Sequence, residues 1–305
     1  MSPFDLNNTK KIMQHGAPVV VLLAAMALVS ASVNASGEPA QKLWTLEGLH
    51  QPESVVADPA SNYLYISNIN GKPLELNGKG YISRVSREGE MQEQFWVTGL
   101  DAPKGMAIVG KRLYVADVQQ VHIIDVQTGE MIGQLQAPDA TMLNDIGAAP
   151  DGTLYISDLL GGGLYRISDG RMARWFSSDQ LPHPNGVLWH KGKLLVAGWG
   201  YPLNPDFTTG TPGSLYQMDI RTQALTALPT GYQLGNLDGV VAVNDTLYVS
   251  DWISGNLFAL YDQQRVKSLS LPAGLADIGV FGDTLYAPMM LNNRMVAWKV
   301  GGSDQ

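Results

Sequence analysis

One short pattern recurs six times and restricts the fold more than any other feature of the chain. It reads LYIS at 64, LYVA at 113, LYIS at 154, LLVA at 194, LYVS at 247 and LYAP at 285, with spacings of 49, 41, 40, 53 and 38 residues. A period of about 40 residues is common to helical solenoids and to the four-stranded blades of propellers. Solenoid helices need apolar residues every 3.6 positions, whereas stretches such as RLYVADVQQVHIIDV (112–126) alternate with a period of two and turn on Gly, Asp and Asn. The pattern predicts an all-β, six-bladed β-propeller with four-stranded antiparallel blades.

The sixth copy has too little chain around it for a whole blade. ADIGVF, TLYAP and NRMVAWKV supply three strands, and QKLWTLEGL (41–49), ahead of the first copy, reads as the fourth. That pairing closes the ring and removes its exposed edges. The propeller is therefore expected over residues 41–301, with 36–40 as a linker and 302–305 as a tail. Two inserts interrupt the repeat, 68–80 in blade 1 and GWGYPLNPDFTTGTPG (198–213) in blade 4. Long loops on a compact fold often carry function.

Composition narrows the function classes. With 45% hydrophobic and 16% charged residues the chain can build a sizeable core. A net charge of −8 argues against a nucleic-acid partner. There is no cysteine, which excludes disulfides, thiolate metal sites and a cysteine nucleophile. Near the N-terminus, Lys10 and Lys11 precede the 13-residue apolar run APVVVLLAAMALV and then SASVNASG. This is the order of a secretory signal peptide, and the run falls short of the roughly 18–20 residues a membrane span needs. We expect a signal peptide over 1–35, cleavage after Ala31 or Ala35, a periplasmic or secreted protein, and no stable membrane span after processing.

The candidate site comes from one slot of the repeat. About ten residues before each copy the preceding strand begins, with PESVVAD, APKGMAI, LNDIGAA, PNGVLW, LDGVVAV and LADIGVF. The slot holds Glu53, Lys104, Asn144, Asn185, Asp238 and Ala276 in turn. In a propeller the innermost strands run along the axis, so equivalent positions form a ring at one height. Glu53, Asn144, Asn185 and Asp238 would converge there as a hard-oxygen set suited to Ca²⁺, Mg²⁺ or Mn²⁺. The competing readings are a wet, metal-free channel and ordinary turn chemistry, since Asn, Asp and Gly are common at strand ends.

PESVVAD, LNDIGAAPDGTLYISD, PNGVLW and LDGVVAVNDTLYVSDW, in this order and approximate spacing, resemble the gluconolactonase/regucalcin (senescence-marker-protein) family over most of residues 45–300. The resemblance implies a six-bladed propeller with one axial divalent cation, Ca²⁺ first and Mg²⁺, Mn²⁺ or Zn²⁺ as alternatives. It implies Glu53, Asn185 and Asp238 as metal ligands, and Asn144 as a substrate contact that also reaches the metal. Asp238 would be the base that activates water against a lactone carbonyl. Lys104 departs from the pattern. A lysine about 7 Å from a divalent ion would repel it by roughly 5 kcal/mol at an effective dielectric near 20. Three roles are open to it: a salt bridge with the ring carboxylates in place of the metal, contact with substrate including stabilisation of an oxyanion, or blade packing.

Other candidates are weaker. Asp145 and Asp277 share the context DIG, which suggests binding of backbone amides between blades. The five histidines, His15, His50, His122, His183 and His190, form no HxH or HExxH spacing, and only His183, two residues from Asn185, is a candidate acid or base. No GxSxG elbow is present, and the glycines at 161–163 read as a turn. Trp199 and Trp252 follow two copies of the repeat closely; two readings are open, capping of the channel, with Trp199 as a substrate contact, and core packing between blades. The expected function is metal-dependent hydrolysis of a lactone or related ester. The alternatives are a non-catalytic propeller binding a small molecule or protein, and the carbon–carbon condensation chemistry of strictosidine-synthase-like propellers, which nothing in the sequence selects.

Overall fold

A computed structural model of the chain describes residues 40–300. The expected signal peptide, most of the linker and the C-terminal tail lie outside the described residues. Among the described residues the strands form six four-stranded antiparallel sheets and one two-stranded hairpin. The only helical segments there are two short 3-10 turns, Pro229–Gly231 and Met290–Asn292. None of their helices is long and apolar enough to cross a membrane.

The repeat copy forms the second strand of every blade: Tyr63–Asn68, Arg112–Asp117, Leu154–Asp158, Lys193–Gly198, Thr246–Asp251 and Thr284–Met289. Its continuous apolar character follows from burial on both faces. In blade 1, Leu64 and Ile66 pack with Tyr286 and Met295 of blade 6. Tyr65, between them, packs with Met106, Leu113 and Val115 of blade 2 and donates its hydroxyl to Val126 O at 2.9 Å. Alternate residues of one strand thus fill two different inter-blade cores, and no solvent face remains to be polar.

The inner strands Pro52–Ala57, Pro103–Val109, Leu143–Ala148, Pro184–His190, Leu237–Val243 and Gly279–Phe281 each contact the next, and the sixth contacts the first. The ring is closed as expected. Gln41–Glu47 pairs antiparallel with Arg294–Lys299 as the outermost strand of the last blade. Asn293 then fastens the crossing into blade 1, its carbonyl accepting from Leu49 N (3.1 Å) and its side-chain oxygen from Gln51 N (2.8 Å). First and last strands share one sheet, so the ends of the ring cannot part without breaking a four-stranded ladder.

Candidate functional site at the hub

The inner hairpin loses register at the same place in five blades, between Pro52 and Val55, Pro103 and Met106, Leu143 and Ile146, Pro184 and Val187, and Leu237 and Val240. The residues inside these gaps are the slot residues and their followers: Glu53 and Ser54, Lys104 and Gly105, Asn144 and Asp145, Asn185 and Gly186, Asp238 and Gly239. A register break bends the strand and re-aims its side chains. All five slot residues consequently line one cavity at the hub.

Two residues of the repeat hold this geometry. Its serine replaces the missing ladder partner: Ser67 Oγ accepts from Ser54 N (3.0 Å), Ser157 Oγ from Asp145 N (2.9 Å) and Ser250 Oγ from Gly239 N (2.8 Å). The aspartate that follows gathers the amides leading into the next inner strand. Asp117 accepts from Asp101 N (2.8 Å) and Ala102 N (2.7 Å), just ahead of Lys104. Asp158 accepts from Thr141 N (3.1 Å) and Met142 N (2.8 Å), just ahead of Asn144. Close approach completes the hub: a Cβ on Gly186 would collide with the carbonyl oxygen of Asp238 in blade 5, so only glycine fits after Asn185.

The cavity measures about 130 Å³ and is lined by Glu53, Lys104, Asn144, Asn185 and Asp238, with Trp199 and Trp252 also in its wall. Asn185 Nδ2 donates to Asp238 Oδ1 at 3.1 Å. Glu53 Oε2, Asn144 Oδ1 and Asn185 Oδ1 are buried without a hydrogen-bond partner among the described residues. All three are acceptors. Buried acceptors left unsatisfied cost about 1–3 kcal/mol each, so the hub calls for a positive ion or for polarised donors.

The charges press the same way. Burial, and then the Asp238 carboxylate, push Glu53 well above the usual carboxylate range, with Lys104 acting against them. Burial and then Asp145 raise Asp238, opposed by the hydrogen bond from Asn185. Burial lowers Lys104, while Glu53 and Asp117 favour its charged form. Beside the ring, burial pushes Asp145 up to about 6 against the pull of the Val187 and Ile146 amides. Burial and the Asp145 and Glu53 charges raise Asp277. Four carboxyl groups therefore share a hub that holds one ammonium.

That ammonium makes no salt bridge among the described residues. Lys104 Nζ donates to Ala102 O (2.7 Å) and to Pro73 O (2.9 Å), so it ties the blade 1 insert down onto the hub. Asp145 does bridge blades through a backbone amide, accepting from Val187 N at 2.5 Å in blade 4. Asp277 bridges differently, accepting from the Ser54 hydroxyl of blade 1 at 2.5 Å.

His183 lies outside the hub cavity, in a separate surface cleft with Tyr201, and donates Nδ1–H to Leu159 O at 2.9 Å. His122 bonds Asp117 at 2.9 Å and His50 bonds the Tyr81 hydroxyl at 2.8 Å, both away from the cavity lining. His190 is the last residue of the inner strand Pro184–His190 and does not line the cavity. Sequence reasoning missed Pro73, Asp206 and Phe207, which the two inserts bring to the cavity. Insert length was the available signal; which residue would reach inward was not encoded locally. The 198–213 insert folds as the hairpin Gly200–Leu203 and Thr209–Pro212, anchored by Asn236 Nδ2 to Trp199 O and Thr209 Oγ1, both at 2.8 Å.

The ring residues fit an oxygen-seeking cation. Among the described residues no three His, Cys, Asp or Glu side chains form a metal-holding cluster. An ion at the hub would depend on the two asparagine carbonyls together with Glu53 and Asp238. Neutral carbonyl and carboxylate oxygens suit Ca²⁺ or Mg²⁺, whereas Zn²⁺ would lack nitrogen and sulfur ligands, since no histidine or cysteine lines the cavity.

No protein-family model and no curated protein sequence matches the chain. Solved structures do resemble it. A gluconolactonase from Xanthomonas campestris superposes with a TM-score of 0.60 at 17% identity, over 88% of this chain and 97% of that one. An inferred gluconolactonase gives 0.62 at 17% identity, over 88% and 94%. A chain of the nidogen/laminin complex gives 0.58 at 19% identity, over 72% and 86%. Identities this low establish what the chains share as architecture: the protein has the β-propeller fold found in these structures.

Proposed function

We propose that the protein hydrolyses a lactone or related carboxylic ester at a hub that binds one divalent cation, Ca²⁺ foremost. The observation that carries this reading is the trio of buried, partnerless acceptor oxygens of Glu53, Asn144 and Asn185 beside the Asn185–Asp238 hydrogen bond. Glu53, Asn185 and Asp238, with Asn144, would hold the ion. Once bound, it would supply Lewis-acid polarisation of the substrate carbonyl.

The chain's own groups supply the rest. Asp238 takes the proton of the attacking water. Asn185 Nδ2 fixes its carboxylate orientation. Asn144 faces the substrate. An ammonium has three donors; two of those on Lys104 hold Ala102 and Pro73, and the third remains for the carbonyl oxygen as negative charge develops on it. The architecture shared with a gluconolactonase agrees with this assignment.

The test is turnover of simple lactones by Ca²⁺-loaded protein, with Asp238→Asn as the variant. Asparagine keeps an acceptor for Asn185 but no longer takes a proton, so kcat/KM should fall by about 10²–10⁴-fold with the fold intact. Full activity in that variant, or after exhaustive chelation, would overturn the proposal. A second reading, a propeller that binds a ligand without turning it over, is favoured by Lys104, whose charge opposes a cation. Metal-free protein that retains a small ligand and hydrolyses nothing would establish it.

A further inference from the structure

A second ring lies one residue beyond each repeat strand. Those positions hold Ile69, Val118, Leu159, Trp199, Trp252 and Met290. One comes from each blade and all six are apolar. All but Val118 line the hub cavity, and Met142 and Phe207 extend the wall. Met142, Leu159 and Trp199 form an apolar cluster with Phe207 and Trp252 that is separate from the inter-blade cores. Few polar atoms lie close to this collar. Trp199 Nε1 donates to Phe207 O at 2.8 Å. Asp206, the only polar side chain among the described residues lining the cavity outside the hub ring, accepts from Thr208 N (3.1 Å) and Thr208 Oγ1 (2.6 Å) through Oδ1.

We propose that the substrate is a lactone or ester carrying an aliphatic or aromatic substituent, with its carbonyl in the hub ring and the substituent in this collar, in place of a polyhydroxylated sugar lactone. The inference rests on the hydrolase reading for the carbonyl end and on the collar for the other. Sugar hydroxyls entering the collar would give up water for a wall that offers only the Asp206 carboxylate and the Trp252 indole N–H as side-chain partners, too few for a polyhydroxylated ring. Methylenes and ring faces would gain from burial, and the two indoles offer flat surfaces for an aromatic ring.

The experiment compares γ-butyrolactone, γ-hexalactone, γ-octalactone and D-glucono-δ-lactone with the purified, Ca²⁺-supplied protein. In parallel, tryptophan fluorescence follows binding of the corresponding γ-lactams, which resist hydrolysis. We expect kcat/KM to rise about fourfold for each methylene that enters the collar, with the sugar lactone at least tenfold below γ-butyrolactone. Lactam affinity should climb in step. Phe207 has φ +64°, a backbone conformation that asparagine tolerates, so Phe207→Asn retains the hairpin tip while removing apolar wall. It should lower the octalactone-to-butyrolactone ratio about tenfold. Turnover that favours the sugar lactone, or is indifferent to chain length, would overturn this inference and leave the hydrolase reading standing. Chain-dependent lactam binding with no turnover of any lactone would support the collar and remove the hydrolase reading. Absence of both turnover and lactam binding would overturn both.

Discussion

Replacing Asp158 by alanine should damage both the stability of blade 3 and the placement of Asn144. The Asp158 carboxylate is fully buried and accepts from the Met142 amide (2.8 Å), the Thr141 amide (3.1 Å), the Gly161 amide (3.0 Å) and Arg174 Nη2 (3.2 Å). Truncation leaves the buried Met142 amide without a partner, at about 1–3 kcal/mol, and weakens the two partly exposed amides by roughly 1 kcal/mol each. The Arg174 pair, at the rim, adds little. The expected loss is about 3–5 kcal/mol, or on the order of 10 °C in Tm for a domain of this size. Asp158→Asn keeps one acceptor oxygen for the three amides and should cost only about 1–2 kcal/mol. Blade 1 already uses an asparagine at this position, Asn68, which accepts from His50 N at 3.1 Å. Urea unfolding followed by tryptophan fluorescence would rank the three proteins. An alanine variant within 1 kcal/mol of the parent, or equal losses for alanine and asparagine, would refute the view that this carboxylate holds the lead-in to the hub.

Gly186→Ala would place a methyl against the Asp238 carbonyl oxygen and force blades 4 and 5 apart, whereas Gly133→Ala meets only the Ile123 side chain at 3.6 Å. Thermal melts should show the first destabilised by about 3 kcal/mol or more and the second close to the parent; equal melting points would contradict the close approach at the hub. Asp117 gives a pH dependence. Burial would raise its pKa, but the hydrogen bonds from His122 and from the Asp101 and Ala102 amides outweigh it and hold the group below the usual carboxylate range. Its stabilisation should be fully present above the unfolded value of about 3.9 and vanish as pH falls through the lower folded value. Denaturation midpoints of the parent should therefore fall towards those of Asp117→Asn below about pH 4; a constant gap down to pH 2 would refute the assignment.

The number of blades, their strand order and the closing role of residues 41–49 were legible in the chain because a blade is a local object. Its four strands are neighbours in sequence, and period-two patterning and turn residues mark each one. The slot residues were legible for the same reason: repetition turns one sequence position into one height on the axis. Glu53, Lys104, Asn144, Asn185 and Asp238 were found that way, and they line one cavity.

Repetition could not supply partners. Lys104 looked like a match for the ring carboxylates, yet two of its donors go to the carbonyls of Ala102 and Pro73, and the second of these sits on the blade 1 insert, outside the repeat. The serine of LYIS has its role only because the register break leaves an orphan amide for its hydroxyl oxygen to accept from. Phe207 and Asp206 enter the cavity only because a hairpin folds over it and is anchored by Asn236 of the next blade. Sequence by itself determined which residues occur at each level of the wheel, since periodicity and burial are local rules. Only the tertiary structure decided which atoms those residues face, because hydrogen bonds are directional and short-ranged, and the groups that meet at the hub come from opposite ends of the chain.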